Sequence, residues 1–198
     1  MTPPRNVQRR HALADAAIEV LGVRGIHQLS HRAVDEAAGL PAGTTSNYFK
    51  SRDELLEAVA RRVATLHLAD MDVISAAMAG AGPAELIGRS LYDAATRRRT
   101  RFLAIFELSL ESTRQPALMQ AMSEIALATL DATVSHHRTL GLQTPPEQVQ
   151  ALMTLYGGAL FALVTAPPGS VTEQGASALA RCIVSGVLTE LPGPSEPS

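Results

Sequence analysis

The sequence predicts an all-α protein of about nine helices, and three observations carry that prediction. Ala, Leu, Glu and Arg dominate a chain of 198 residues that is 46% hydrophobic and 18% charged, enough to fill a core. Alternating Val, Ile and Thr segments, the mark of half-buried strands, are missing. Gly and Pro fall at punctuation points, with "AGAGP" at 79–83, Pro116, Gly141 and the Pro145-Pro146 pair separating stretches of helical period.

The elements follow in order. Leu13, Ala16, Ala17, Val20 and Leu21 form one apolar stripe on a first helix, with Arg9, Arg10, Asp15 and Glu19 on its polar face. Gly22 and Gly25 are expected to break it, and Ile26 and Leu29 to turn back toward the core. Ser30 is placed to cap the N-terminus of "SHRAVDEAAGL", with Val34, Ala37 and Ala38 as a short buried face. Gly39 suits the left-handed conformation that ends such a helix, and Pro41 permits a restart. The third helix, "AGTTSNYF", spans only about two turns. "SRDE" opens a long fourth helix with a capping box, Ser51 with Glu54, and Leu56, Val59, Val63 and Leu66 carry its stripe.

Two short helices joined by a glycine turn are the pattern of a helix-turn-helix, whose second helix enters the DNA major groove. In the third helix Thr45 and Phe49, four apart, point inward. Gly43 keeps the first turn thin for close backbone approach, and Thr44, Ser46, Asn47 and Tyr48 display hydroxyl and amide groups outward. Asn suits bidentate adenine contact, and Thr or Tyr suits phosphate or thymine-methyl contact. Lys50 and Arg52 add flanking positive charge. The net charge of −2 hides a split, since residues 1–62 hold nine Lys and Arg against seven Asp and Glu and the remainder eight against twelve. His11, His27 and His31 also lie in the first third. A weakly basic head on an acidic body fits local phosphate contact.

Residues from about 6 to 66 resemble the DNA-binding domain of the TetR (tetracycline-repressor-like) family of bacterial regulators. The likeness is carried by "GLPAGTTSNYFKSRDELL", residues 39–56, in which Gly39, Gly43, Thr44, Tyr48, Phe49 and the Leu55-Leu56 pair keep the family's order. Pro41 stands where a capping Ser is common, and Ser46 and Asn47 where two aromatics are common, so base preference does not carry over. By similarity Ser30, His31 and Arg32 touch DNA backbone and a base, and Tyr48 and Arg52 hold phosphates. The resemblance implies a DNA-binding domain over 1–66, its helix-turn-helix at about 30–49, and an effector-binding and dimerisation domain over 67–198.

In that body, helices are expected near 84–98, 101–114, 116–140, 145–166 and 172–190. The run "TRRRTRF", with its Arg97–Arg101 cluster, reads as a solvated, helix-capping segment or as a partner for acidic groups rather than as a second nucleic-acid contact. Phe106, Met122, Met153 and Tyr156 are the candidates for lining a cavity for an apolar or aromatic small-molecule effector, because Met adapts to irregular shapes. The adjacent His136 and His137 point about 100° apart on a helix and are not expected to share a metal. Val149, Leu152, Tyr156, Leu160 and Leu163 form one stripe of the last two helices, and Leu179, Ile183 and Val187 another. Gly157, Gly158 and Gly186 remove bulk there, and the resemblance implies that these two helices form a homodimer interface. Cys182, the single cysteine, reads as a small hydrophobe and implies a reducing compartment. "LYGGALFALVTA" is about half the length a membrane span requires, so the expected location is cytoplasmic with no membrane partner.

The implied function is a homodimeric repressor that binds a palindromic operator on double-stranded DNA and is released by an effector. An activator or a ligand-independent regulator is the alternative. A small helical enzyme and a protein-interaction module are the competing classes. Against the enzyme, no nucleophile–base pair, phosphate loop, zinc spacing or paired-carboxylate motif is visible, and no cofactor is expected.

Overall fold

The computed structural model describes residues 5–139 and 141–188. Their order is α1 (Arg5–Arg24), a 3-10 turn (Ile26–Gln28), α2 (His31–Ala37), α3 (Thr44–Tyr48), α4 (Arg52–Ala77), α5 (Pro83–Thr96), α6 (Arg99–Ser112), α7 (Pro116–Thr139), α8 (Pro146–Thr165) and α9 (Glu173–Leu188). The all-α class holds, and the nine described helices match the expected number. α3 is shorter than expected at five residues. The expected ends at Leu140 and at 189–190 lie outside the described residues.

The chain divides into two compact units. The first joins the residues up to Asp70 to Arg98–Thr129, and the second joins Met71–Arg97 to Leu130 and beyond. By packing, α6 and the first half of α7 belong with this first unit. Gly22 is the physical reason. It lies inside α1 rather than at a break, and a Cβ on it would meet the Thr100 carbonyl oxygen at 2.2 Å. The missing side chain lets α6 cross α1 in backbone contact. Gly25, with φ 78°, is the residue that ends α1. Glu107 of α6 then accepts from the Ile26 N–H at 3.1 Å.

The core of this unit draws on α1, α2, α4, α6 and α7, with Leu13, Leu21, Val34, Phe49, Leu56 and Leu108 all buried. Each such side chain contributes about 1.5–3 kcal/mol by leaving water. At its edge two arginines of the run pair within the chain, Arg98 and Arg101 both reaching Asp70, at 3.0 and 2.5 Å.

In the second unit α5, α8 and α9 pack pairwise. Gly88 admits α9, since a Cβ there would lie 3.1 Å from the Ser177 Cα. Leu91, Leu152, Val164 and Ala180 fill the space between. The apolar stripes expected to be free for a partner are largely used inside the subunit. Val149, Leu152 and Leu160 are buried, as are Ile183 and Val187. α8 instead exposes its other side, Ala151, Leu155, Gly158, Phe161 and Ala162. A Cβ added at Gly157, Gly158 or Gly186 would meet nothing within 4 Å, so no helix crossing among the described residues explains those glycines. The apolar run on α8 belongs to a helix of 20 residues, the one described helix long and apolar enough to cross a membrane by length and composition.

Candidate nucleic-acid interface

α2 begins at Ser30, whose backbone is extended and whose Oγ accepts from the Ala33 N–H at 3.1 Å. α2 ends where Gly39 adopts φ 63°, and the Leu40 N–H returns to the Asp35 carbonyl at 2.9 Å. A second left-handed residue, Gly43 at φ 87°, then starts α3. A side chain at Gly43 would find open space, its nearest neighbour being the Ser46 Oγ at 4.0 Å. Glycine is therefore demanded there by the backbone angle, which costs other residues about 1–2 kcal/mol.

The turn is held by a residue that sequence reasoning missed. Asp35 is 3% exposed, and its carboxylate accepts from the Gly43 N–H at 2.8 Å, the Thr45 N–H at 2.7 Å and the Thr45 hydroxyl at 2.5 Å. Burial opposes ionisation of this group. The hydrogen bonds from Thr45 and Gly43, with the nearby His31, outweigh it and hold the carboxyl below its ordinary value. An anion thus sits at the start of α3, where the free N–H groups and the helix dipole favour one.

The inner face of α3 is as the periodicity requires, with Thr45 and Phe49 fully buried. On the outer face Ser46, Asn47 and Lys50 are exposed, and Thr44 and Tyr48 are half-buried. The Thr44 and Ser46 hydroxyl protons of that face are committed to the chain itself. Thr44 Oγ1 donates to the Pro41 carbonyl at 2.6 Å and Ser46 Oγ to the Gly43 carbonyl at 2.9 Å. Neither can donate to a phosphate without breaking that bond, although both keep lone pairs for a base amine. Asn47 differs, for no described residue bonds its amide. Tyr48 packs its ring against the head core. Its hydroxyl meets no described partner.

Past α3, Arg10 of α1 donates through Nη1 to the Tyr48 carbonyl at 2.5 Å and through Nη2 to Glu54 at 3.2 Å. Its guanidinium carbon stands 4.5 Å from the centre of the Phe49 ring. The expected capping box is half formed. Ser51 Oγ accepts from the Glu54 N–H at 3.1 Å, but the Glu54 carboxylate reaches the Lys50 N–H at 2.7 Å instead of that of Ser51. That bond and Arg10 hold the Glu54 carboxyl below its usual range. Arg52 is turned inward, donating to the Ile26 carbonyl at 2.8 Å and facing Glu111 at 3.9 Å. Arg32 is exposed, whereas His31 is half-buried with its Nε2 enclosed and unpartnered.

The four effector candidates fall in different units. Phe106 and Met122 are half-buried in the first, where Met122 packs against the head core. Met153 and Tyr156 are half-buried in the second, and the Tyr156 hydroxyl lies 2.8 Å from that of Ser90. His136 and His137 take separate partners, Ser75 at 2.9 Å and Thr144 at 3.1 Å.

A short helix with a buried inner face and a polar outer one, following a second short helix across a tight turn, defines a helix-turn-helix DNA-binding protein. Residues 13–59 match the model of bacterial regulatory proteins of the tetR family, and residues 81–190 match the tetracyclin repressor-like C-terminal domain. The chain belongs to the TetR family of transcriptional regulators, and it is a regulator rather than an enzyme.

Solved structures of similar fold include the multidrug binding protein EbrR complexed with imidazole. That chain is 27% identical with a TM-score of 0.65, over 98% of this chain and 99% of that one. A TetR-family member from Streptomyces coelicolor A3 is 27% identical with a TM-score of 0.67, covering 91% and 98%. A transcriptional regulator from Rhodococcus sp. Rha1 is 20% identical with a TM-score of 0.71, covering 91% and 96%, a likeness of fold alone. No curated protein matches the chain.

Proposed function

We propose that this regulator is a cytoplasmic repressor that binds a palindromic operator as a homodimer and is released by an apolar or aromatic small molecule. The observation that carries the DNA contact is the division of labour on α3. Its threonine and serine protons are internally committed, whereas the Asn47 amide and the Tyr48 hydroxyl are presented without a described partner. Asn47 reads a base and Tyr48 a phosphate. Ser30, Arg32 and Lys50 flank them at the surface, and Gly43, Thr44 and Ser46 bring the backbone close. His31 and Arg52 contribute less than the family pattern implies, since both are engaged or enclosed within the head.

For the dimer, the support is the exposed side of α8, with Leu155 at 48% and Phe161 at 50% exposure beside the unoccupied space at Gly158. For the effector, support comes from EbrR, which has been solved with ethidium at 28% identity and with malachite green at 25%. Tyr156 and Met153 are the residues we assign to effector contact in the second unit, with Phe106 as the aromatic candidate in the first. Met122 is a core residue in this scheme. An effector acts only through its preference between DNA-competent and incompetent states, so its release is reciprocal with operator binding.

The test is titration of the protein against DNA from upstream of its own coding sequence, by fluorescence anisotropy. Asn47→Ala with Tyr48→Phe is expected to weaken that binding by about 1–3 kcal/mol for the base contact while leaving thermal stability unchanged. Equal affinity of the wild-type protein for a scrambled duplex refutes it.

A further inference from the structure

We propose that Arg10 is the positioning residue that fixes the recognition helix, clamping the C-terminal end of α3 as Asp35 clamps the start. The proposal rests on the DNA-binding role of α3 given above. A helix of five residues cannot hold itself, because so short a segment has almost no internal hydrogen bonds to offset its nucleation. Its last carbonyls have no partner in the helix, and one of them, that of Tyr48, receives the Arg10 Nη1 proton at 2.5 Å. A cation is the favourable charge at that end.

The same guanidinium lies 4.5 Å over Phe49, which is fully buried, so the carbonyl is tied to a ring that cannot move. Glu54 holds the second arm at 3.2 Å and the Lys50 N–H at 2.7 Å. One Arg–Glu pair therefore fixes three successive residues, Tyr48, Phe49 and Lys50, directly after Asn47. The Arg10 side chain is 41% exposed, yet its donors point into the chain rather than outward. A planar fork is needed to reach two acceptors and stack at once, which a lysine ammonium cannot do.

Arg10→Met and Arg10→Lys in the full chain test this in two arms. Without DNA, amide exchange at Phe49 should accelerate roughly tenfold in both variants, the lower end of what a hydrogen bond to a charged group supplies. Exchange at Leu56 and Val59 of α4 should not change. Protection at Phe49 equal to wild type overturns the proposal. Glu54→Gln, which leaves the buried core intact, should show the same loss at Phe49 and decides the matter if the Arg10 variants do not fold.

With DNA, the probe is the duplex that the wild-type protein selects from a random-sequence pool. Both variants should lose roughly tenfold in affinity for it, with an unchanged salt slope and unchanged binding to scrambled duplex. If Arg10→Lys instead restores affinity and Arg10→Met lowers the salt slope by about one, Arg10 is a phosphate contact and the proposal is overturned. Failure of the wild-type protein to select any duplex refutes the DNA-binding role, and the exchange arm still decides the clamp.

Discussion

Asp35→Asn is the sharpest perturbation of the head, because it changes one charge and almost no volume. The carboxylate accepts three hydrogen bonds at 2.5–2.8 Å in a site that is 3% exposed. In the variant one oxygen remains for the two Thr45 donors, now uncharged. The new amide faces the Gly43 N–H, donor against donor. Bonds to a charged acceptor contribute about 1.5–3 kcal/mol against about 1 for neutral ones, and a buried donor left without an acceptor costs about 1–3. Together they predict a loss of about 3 kcal/mol. For a chain of this size that lowers the melting temperature by roughly 6–12 °C.

The pH dependence sharpens this prediction. The native pKa of Asp35 lies below the ordinary value of 3.8, so its contribution is complete above 3.8 and is lost as pH falls through the native value. The gap between wild type and variant should therefore be full at pH 7 and shrink in acid below 3.8. Thermal melts by circular dichroism across that range are the assay. A variant that melts with wild type at pH 7, or a gap that persists unchanged in acid, would show that the carboxylate does not hold the turn.

Two further outcomes follow from packing. Gly22→Ala places a methyl 2.2 Å from the Thr100 carbonyl oxygen, a backbone atom that cannot swing aside, so α6 must shift. The expected loss is about 1–3 kcal/mol or more in urea denaturation, and the same change at Gly158, where nothing lies within 4 Å, should leave the fold intact. Leu155→Glu with Phe161→Glu on the exposed side of α8 should convert the dimer to monomer in sedimentation with helicity retained. A stable dimer in that double variant rules out this face.

The sequence made some features of the head legible and hid others, and the difference is one of range. The Ser30 cap, the left-handed Gly39 and the inward pair Thr45 and Phe49 all depend on neighbours within four residues, and helical period or cap chemistry reports such neighbours directly. Asp35 reads as an ordinary polar residue on a short helix. Its position beside Val34 and three before Ala38, on the buried side, was the available signal, since an acid there needs partners to remain charged. Arg10 gave no signal at all, for its acceptor lies 38 residues away.

Gly22 misled for the same reason. A glycine that permits a helix crossing and one that ends a helix look alike until the crossing partner, Thr100, is known. On α8 the difficulty was azimuth. The helix is apolar on two sides, and periodicity alone could not tell which stripe its own subunit would bury. Asn47 was readable as an exposed group because it lies off the Thr45–Phe49 stripe, and its recognition role with Tyr48 is what we propose. The residues that aim them were not readable, because aiming is a long-range contact by nature.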